Sequence, residues 1–169
     1  MIPAEAYEYA IKNGPNENIK KIIYQDPFYT YLYALDIDQC SKEDTRKIAC
    51  KSPECAYLYA LNIDKKSRED TQKAACKSPE FAYKYAKDVD ECSKKNTRNA
   101  ACKNPEYAFF YALDVDKKPE KNTRKAACKD PELAYWYAIT IDKGFHQDTY
   151  NATLNTIYEK EYKKFLDIK

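Results

Sequence analysis

The sequence predicts an all-α protein, an α-solenoid of about six helix-turn-helix repeats closed by a C-terminal capping helix. Three observations carry this. Pro27, Pro53, Pro79, Pro105 and Pro131 fall at a constant step of 26 residues, with Pro3 set 24 before the first of them. Thr45, Thr71, Thr97, Thr123 and Thr149 keep the same step, as do Asp38, Asp64, Asp90, Asp116 and Asp142 and the cysteines Cys50, Cys76, Cys102 and Cys128. Within each repeat, apolar residues recur at helical spacing and two separate helix starts can be read.

The repeats begin near residues 3, 27, 53, 79, 105 and 131, and the capping helix covers residues 155–169 of a single domain spanning 1–169. The first repeat, Pro3 to Asp26, has a shortened connection at Gly14-Pro15-Asn16 and carries Glu8 where inner repeats carry Leu58, Phe110 or Trp136, which marks it as an end unit. In the later repeats the first helix opens on Ser52, Ser78, Asn104 or Asp130, with proline next. From Ser52 onward a glutamate follows the proline. The cap accepts from free amide groups, proline stands where its missing N–H costs nothing, and the acid meets the positive end of the helix dipole. Ala56, Tyr59, Ala60 and Ile63 then form the core stripe, at i, i+3, i+4 and i+7. Ser41, Ser67 and Ser93 stand three residues before Asp44, Asp70 and Asn96 and predict a second cap, opening the second helix. That helix carries a stripe of small residues, Thr71, Ala74 and Ala75, which lets it lie close against the first. The first helix is apolar on further sides, through Tyr57, Leu58 and Leu61, so it is expected to be enclosed by the repeats before and after it. The last segment mixes Ile157, Tyr158, Tyr162, Phe165 and Leu166 with charged residues, as one amphipathic helix closing the stack would.

Composition narrows the function. The net charge is only +2, so no strong field draws the chain to nucleic acid or an anionic membrane. Two glycines exclude Gly-rich phosphate loops, and a single histidine, His146, argues against His-based triads and His-rich metal sites. No run of apolar residues is long enough for a membrane helix, and the N-terminus lacks the regions of a signal peptide. Seven cysteines, an odd number, point to a reducing, cytoplasmic location.

In plan the hairpin stack is similar to tetratricopeptide, pentatricopeptide and HEAT-type repeats, whose periods are longer. The run Pro-Glu-x-Ala-Tyr-x-Tyr-Ala, as in Pro53-Glu54-Cys55-Ala56-Tyr57-Leu58-Tyr59-Ala60, resembles short tyrosine-rich repeats of phage and large-DNA-virus proteins. The resemblance covers nearly the whole chain and implies no catalytic residue and no cofactor.

Four features are candidates for function. Cys50, Cys76, Cys102 and Cys128 occupy one position in successive repeats, about 9 Å or more apart and beyond disulfide reach. Tyr24 and Leu154 replace them at the ends, so the thiol acts as a small hydrophobe. The pairs Asp36/Asp38, Asp88/Asp90 and Asp114/Asp116 are expected to cap the connection and to pair with Arg46, Arg98 or Arg124. Identical pairs in every repeat make a poor active site and, without further oxygen ligands, a poor metal site. Arg46, Lys73, Arg98 and Arg124 line up along the second helices; cations near a helix C-terminus are locally favourable, and the same ladder could follow a phosphate backbone in RNA or single-stranded DNA. Finally, Leu58, Lys84, Phe110 and Trp136 vary on a fixed frame, with Tyr107 in a second variable column. Such positions encode specificity in repeat proteins or fill unequal gaps between stacked helices.

No constellation supports catalysis, metal binding or a cofactor. The expectation is a non-catalytic interaction module for a protein partner, anchored by Phe110 and Trp136, with nucleic-acid binding through the arginine ridge as the alternative. A basic face and an acidic edge on one chain are also compatible with self-association. His146, in the divergent Lys143-Gly144-Phe145-His146-Gln147, reads as a surface loop histidine.

Overall fold

The structure, a computed structural model, describes residues 1–167; residues 168–169, which the sequence assigns to the capping helix, lie outside the described residues. The fold class is the expected one. Thirteen α-helices and no strand occur among the described residues, and neighbouring helices pack in repeated pairs of the α-solenoid kind. The chain divides into two compact units, Met1–Lys77 and Ser78–Lys169, at the junction between the third and fourth repeats.

The first unit holds three hairpins: α1 (Pro3–Asn13) with α2 (Glu17–Ile23), α3 (Pro27–Tyr33) with α4 (Glu43–Ala49), and α5 (Pro53–Tyr59) with α6 (Glu69–Ala75). The second holds α7 (Pro79–Asp88) with α8 (Lys95–Ala101), α9 (Pro105–Phe110) with α10 (Lys121–Ala127), α11 (Pro131–Tyr137) with α12 (Gln147–Thr153), and the single helix α13 (Ile157–Phe165). The helices α3, α5, α9 and α11 each continue into a wider π-helical turn, at Ala34–Asp38, Ala60–Asp64, Tyr111–Asp116 and Ala138–Asp142. After every inner first helix the chain reverses through a residue at positive φ, and it is never glycine: Gln39, Lys65, Glu91, Lys117 and Lys143, at φ 50 to 54°.

The prolines stand where the sequence places them. Asp26, Asn104 and Asp130 accept from two backbone amides each, and Ser52 accepts from that of Cys55. Ala56, Tyr59 and Ala60, with their counterparts in the next repeats, are wholly enclosed. Alanine at two positions of the first helices from α5 onward, with Thr30 at one of them in α3, lets the helices of a hairpin approach to about 8 Å.

The second caps are not the serines. The residues that open α4, α8 and α10 are Lys42, Lys94 and Glu120, and none of their side chains caps the helix. A phenol from the following hairpin does this instead. The amides of Lys42, Glu120 and Lys94 donate to the hydroxyls of Tyr59, Tyr137 and Tyr111 at 3.0 to 3.1 Å. Each hydroxyl also lies 2.8 to 3.0 Å from the buried threonine of the same helix, in the pairs Thr45–Tyr59, Thr97–Tyr111 and Thr123–Tyr137. The threonine hydroxyl donates in turn to the carbonyl of the opening residue. The periodic threonine and tyrosine are therefore one device: a buried polar pair that satisfies a helix terminus and welds the second hairpin to the third, the fourth to the fifth and the fifth to the sixth. At the C-terminal end Tyr162 of α13 takes the same role toward Thr149 and the amide of His146. The capping helix closes the stack by supplying the missing tyrosine.

Candidate functional site

The periodic aspartates Asp64, Asp116 and Asp142 meet side chains of the hairpin before them. Asp116 accepts from Arg98 Nη2 at 2.7 Å and from its Nε at 3.1 Å, and Asp142 accepts from Arg124 Nη2 at 2.6 Å. In the first unit Asp64 accepts from Ser41 Oγ at 2.5 Å and lies 3.7 Å from Arg46, which also donates to Asp70 at 2.8 Å. Asp38 and Asp90 pair with Lys42 and Lys94 one turn ahead. The side chains of Asp64 and Asp116 are fully enclosed, and the arginines retain only 12 to 22% of their side-chain exposure. The serines belong to this network: Ser41 accepts from Arg46 Nη1, and Ser93 from Arg98 Nη2. Arg46, Arg98 and Arg124 thus spend their donors on carboxylates inside the protein, while Lys73 remains on the surface. A phosphate would have to compete with enclosed aspartates for Arg98 and Arg124, and with the half-exposed Asp70 for Arg46.

Asp36 and Asp114, and Asn62 in the same position, do something else, which the sequence reading missed. Tyr7 donates to Asp36 Oδ2 at 2.5 Å, Asn62 donates to the Tyr31 hydroxyl at 2.8 Å, and Tyr83 donates to Asp114, which Lys87 also holds at 2.7 Å. Burial, reinforced by the Asp36 bond, pushes the Tyr7 phenol up to about 12. The position is a tyrosine in five of the six repeats. At Phe109, where it loses its hydroxyl, the partner position becomes Thr140, which turns back to donate to the Trp136 carbonyl at 2.6 Å. That joint change was visible in the internal alignment.

The cysteine ladder is half-buried and free of disulfides. Burial pushes the Cys50 and Cys102 thiols up to about 11 and Cys128 up to about 12, so they stay protonated and unreactive. His146 is more than a loop residue. It opens α12, and its Nδ1 accepts from the amide of Asp148 at 3.1 Å.

The variable column divides. Leu58 packs against the core of the first unit. Lys84 pairs with Glu80 and lies over the Phe81 ring. Phe110 is half-buried, stacked on Tyr83 at 6.0 Å and packed on the core of the second unit, and Tyr107 is half-buried against Tyr83. Leu58, Phe110 and Tyr107 fill gaps between helices, whereas Lys84 meets residues of its own helix. Trp136 is different, with 42% of its surface exposed. One turn beyond it, and beyond Phe110, a cleft of about 360 Å³ opens between the C-terminal ends of α9 and α11, lined by Leu113, Lys117, Lys118, Pro119, Thr140 and Lys143, with Ala112 and Ile141 at its base. Leu113 is 39% exposed.

Among the described residues no helix is long and apolar enough to cross a membrane. No known protein family, curated protein or solved structure matches this chain.

Proposed function

We propose that this chain is a non-catalytic helical-repeat module that binds a protein partner through the exposed face of α9 and α11. The single observation behind this reading is Trp136, a large aromatic with 42% of its surface exposed beside an open cleft. Tryptophan is among the residue types most enriched at interface anchors. Leu113, 39% exposed in the lining of the cleft, extends the apolar surface. The seven free thiols favour a reducing compartment. The likeness of the repeat to phage and large-DNA-virus sequences makes an accessory protein of such a genome the setting of the reading. A nucleic-acid track along Arg46, Lys73, Arg98 and Arg124 is the weaker reading, because three of its four cations are bonded to carboxylates.

The test is selection from a display library of random linear peptides, run in parallel on the wild type and on Trp136→Ala. Peptides enriched on the wild type and lost on the variant, with far-UV circular dichroism unchanged, support the reading. No enrichment, or equal enrichment on both, overturns it. Labelled single-stranded oligonucleotides at about 50 and 200 mM salt serve as the counter-test, with salt-sensitive binding removed by Arg98→Glu and Arg124→Glu as the result that would install the ridge instead.

A further inference from the structure

We infer that the segment recognised is an extended acidic peptide carrying one large apolar side chain, which sits in the cleft between α9 and α11; this rests on the protein-binding reading above. The lining of the cleft carries Lys117, Lys118 and Lys143 and no carboxylate. Lys117 and Lys143 have no ion pair within 4 Å among the described residues, and Lys118 reaches Glu120 at 3.3 Å while remaining 66% exposed. The neighbouring acids are already engaged: Asp114 by Lys87 and Tyr83, Asp116 by Arg98, Asp142 by Arg124. Three ammonium groups therefore surround an apolar floor, and among the described residues only that of Lys118 has an ion pair within 4 Å; such a concave positive site concentrates anionic ligands.

The volume decides the size of the anchor. About 360 Å³ is at the lower end of ligand-binding clefts, room for one leucine or aromatic side chain and the backbone on either side of it. The carboxylates belong on the flanking residues, within reach of the lysines at the mouth. Peptide is favoured over nucleic acid because the exposed neighbours are Leu113, Pro119 and a single Trp136, with no free arginine to grip phosphate and no series of exposed rings on which successive bases could stack.

The equivalent cleft of the first unit supplies a control inside the same chain. It lies between α3 and α5, measures about 330 Å³, and is lined by Ala34, Leu35, Gln39, Asn62, Ile63 and Lys65, with one lysine in place of three. The double substitution Lys117→Gln, Lys143→Gln gives the second cleft the charge of the first without touching its floor.

Binding is read by fluorescence anisotropy with a labelled peptide of alternating glutamate and leucine or phenylalanine, with its Gln-for-Glu and Lys-for-Glu counterparts, and with a labelled oligothymidylate. The acidic peptide is expected to bind, with affinity falling as salt rises, and to lose roughly tenfold with the Gln counterpart and with the double lysine variant. Equal binding of the Gln counterpart, an unchanged affinity in the lysine variant, or oligothymidylate binding that the lysine variant abolishes would overturn the inference. If none of the three peptides binds while display still yields Trp136-dependent sequences, the acidic assignment fails and the protein-binding reading stands. If display also yields nothing, both fall.

Discussion

The cleft between α3 and α5 and the cleft between α9 and α11 occupy the same place in the repeat and have nearly the same volume, yet their chemistry differs. In the first, Asn62 donates to the Tyr31 hydroxyl of the preceding hairpin and the rim is nearly neutral. In the second, Phe109 has no hydroxyl to offer, Thr140 turns back on its own helix, and three lysines crowd the rim. The frame around both is the same: enclosed alanines, a buried tyrosine–threonine bond, and an aspartate locked to the arginine of the hairpin before. Residues that weld the hairpins repeat, and the residues between the welds are left to vary.

That contrast can be broken, beginning with the largest expected effect. Asp116→Ala leaves Arg98 largely enclosed with its main partner gone, and should cost about 3 kcal/mol in urea unfolding. Asp64→Ala in the first unit should cost less, because Arg46 keeps Asp70 at 2.8 Å. Equal losses would show that the two ion-pair networks are energetically the same despite their geometry.

The tyrosine weld should behave alike in both units. Tyr59→Phe and Tyr137→Phe each remove one partner of a buried threonine and the acceptor of a helix-opening amide, a loss of about 1 to 2 kcal/mol. Amide exchange should show the loss of protection centred on α4 and α10 respectively. A loss in only one of them would mean that the frame is not uniform.

Smaller effects sharpen the comparison at the clefts. Phe109→Tyr combined with Thr140→Asp rebuilds in the second unit the bond that Tyr83 makes to Asp114, and a double-mutant cycle should return about 0.5 to 1 kcal/mol of favourable coupling. The same pair places a carboxylate among the three lysines and should weaken the acidic peptide. Zero coupling would remove the tyrosine bond from the list of welds.

The smallest effect is with pH. Burial pushes the Asp114 carboxyl up, but bonds from Lys87 and Tyr83 outweigh it and leave the group below its ordinary 3.8; Asp70 is likewise lowered, by Arg46 and the Thr71 amide against burial. A folded value below the unfolded one gives stability that is present above 3.8 and lost as pH falls through the folded value. Between about pH 6 and about pH 3 the wild type should lose more stability than Asp114→Asn. A parallel decline of the two would assign the acid sensitivity to other carboxylates.

Much of the fold was legible because its signals are local or periodic. Proline after a capping residue, alanine at helical spacing and a constant step are read without knowing what touches what. The positions that defeated the reading are those whose partners lie in another repeat. Ser41 and Ser93 look like caps in isolation, and only the arrival of Tyr59 and Tyr111 at the helix openings frees them for the arginines. The variable column could be found by its variation, but not divided. Leu58 and Phe110 are covered by neighbouring helices, and Trp136 is not. The lysines of the cleft gave no signal, because Lys117 and Lys143 come from different repeats and look like ordinary turn residues.

The amino-acid sequence by itself determined the helical class, the repeat boundaries, the inward faces and the chemical inertness of the cysteine ladder, since each follows from spacing, capping and residue size within one repeat. The tertiary structure alone decided which hydroxyl completes which helix, which aspartate takes which arginine, which aromatic stays in solvent and which cations share a cleft. Those outcomes depend on distances between residues roughly 14 to 31 apart in the chain, set only once hairpins stack and each buried polar group must find a partner that its own helix cannot supply.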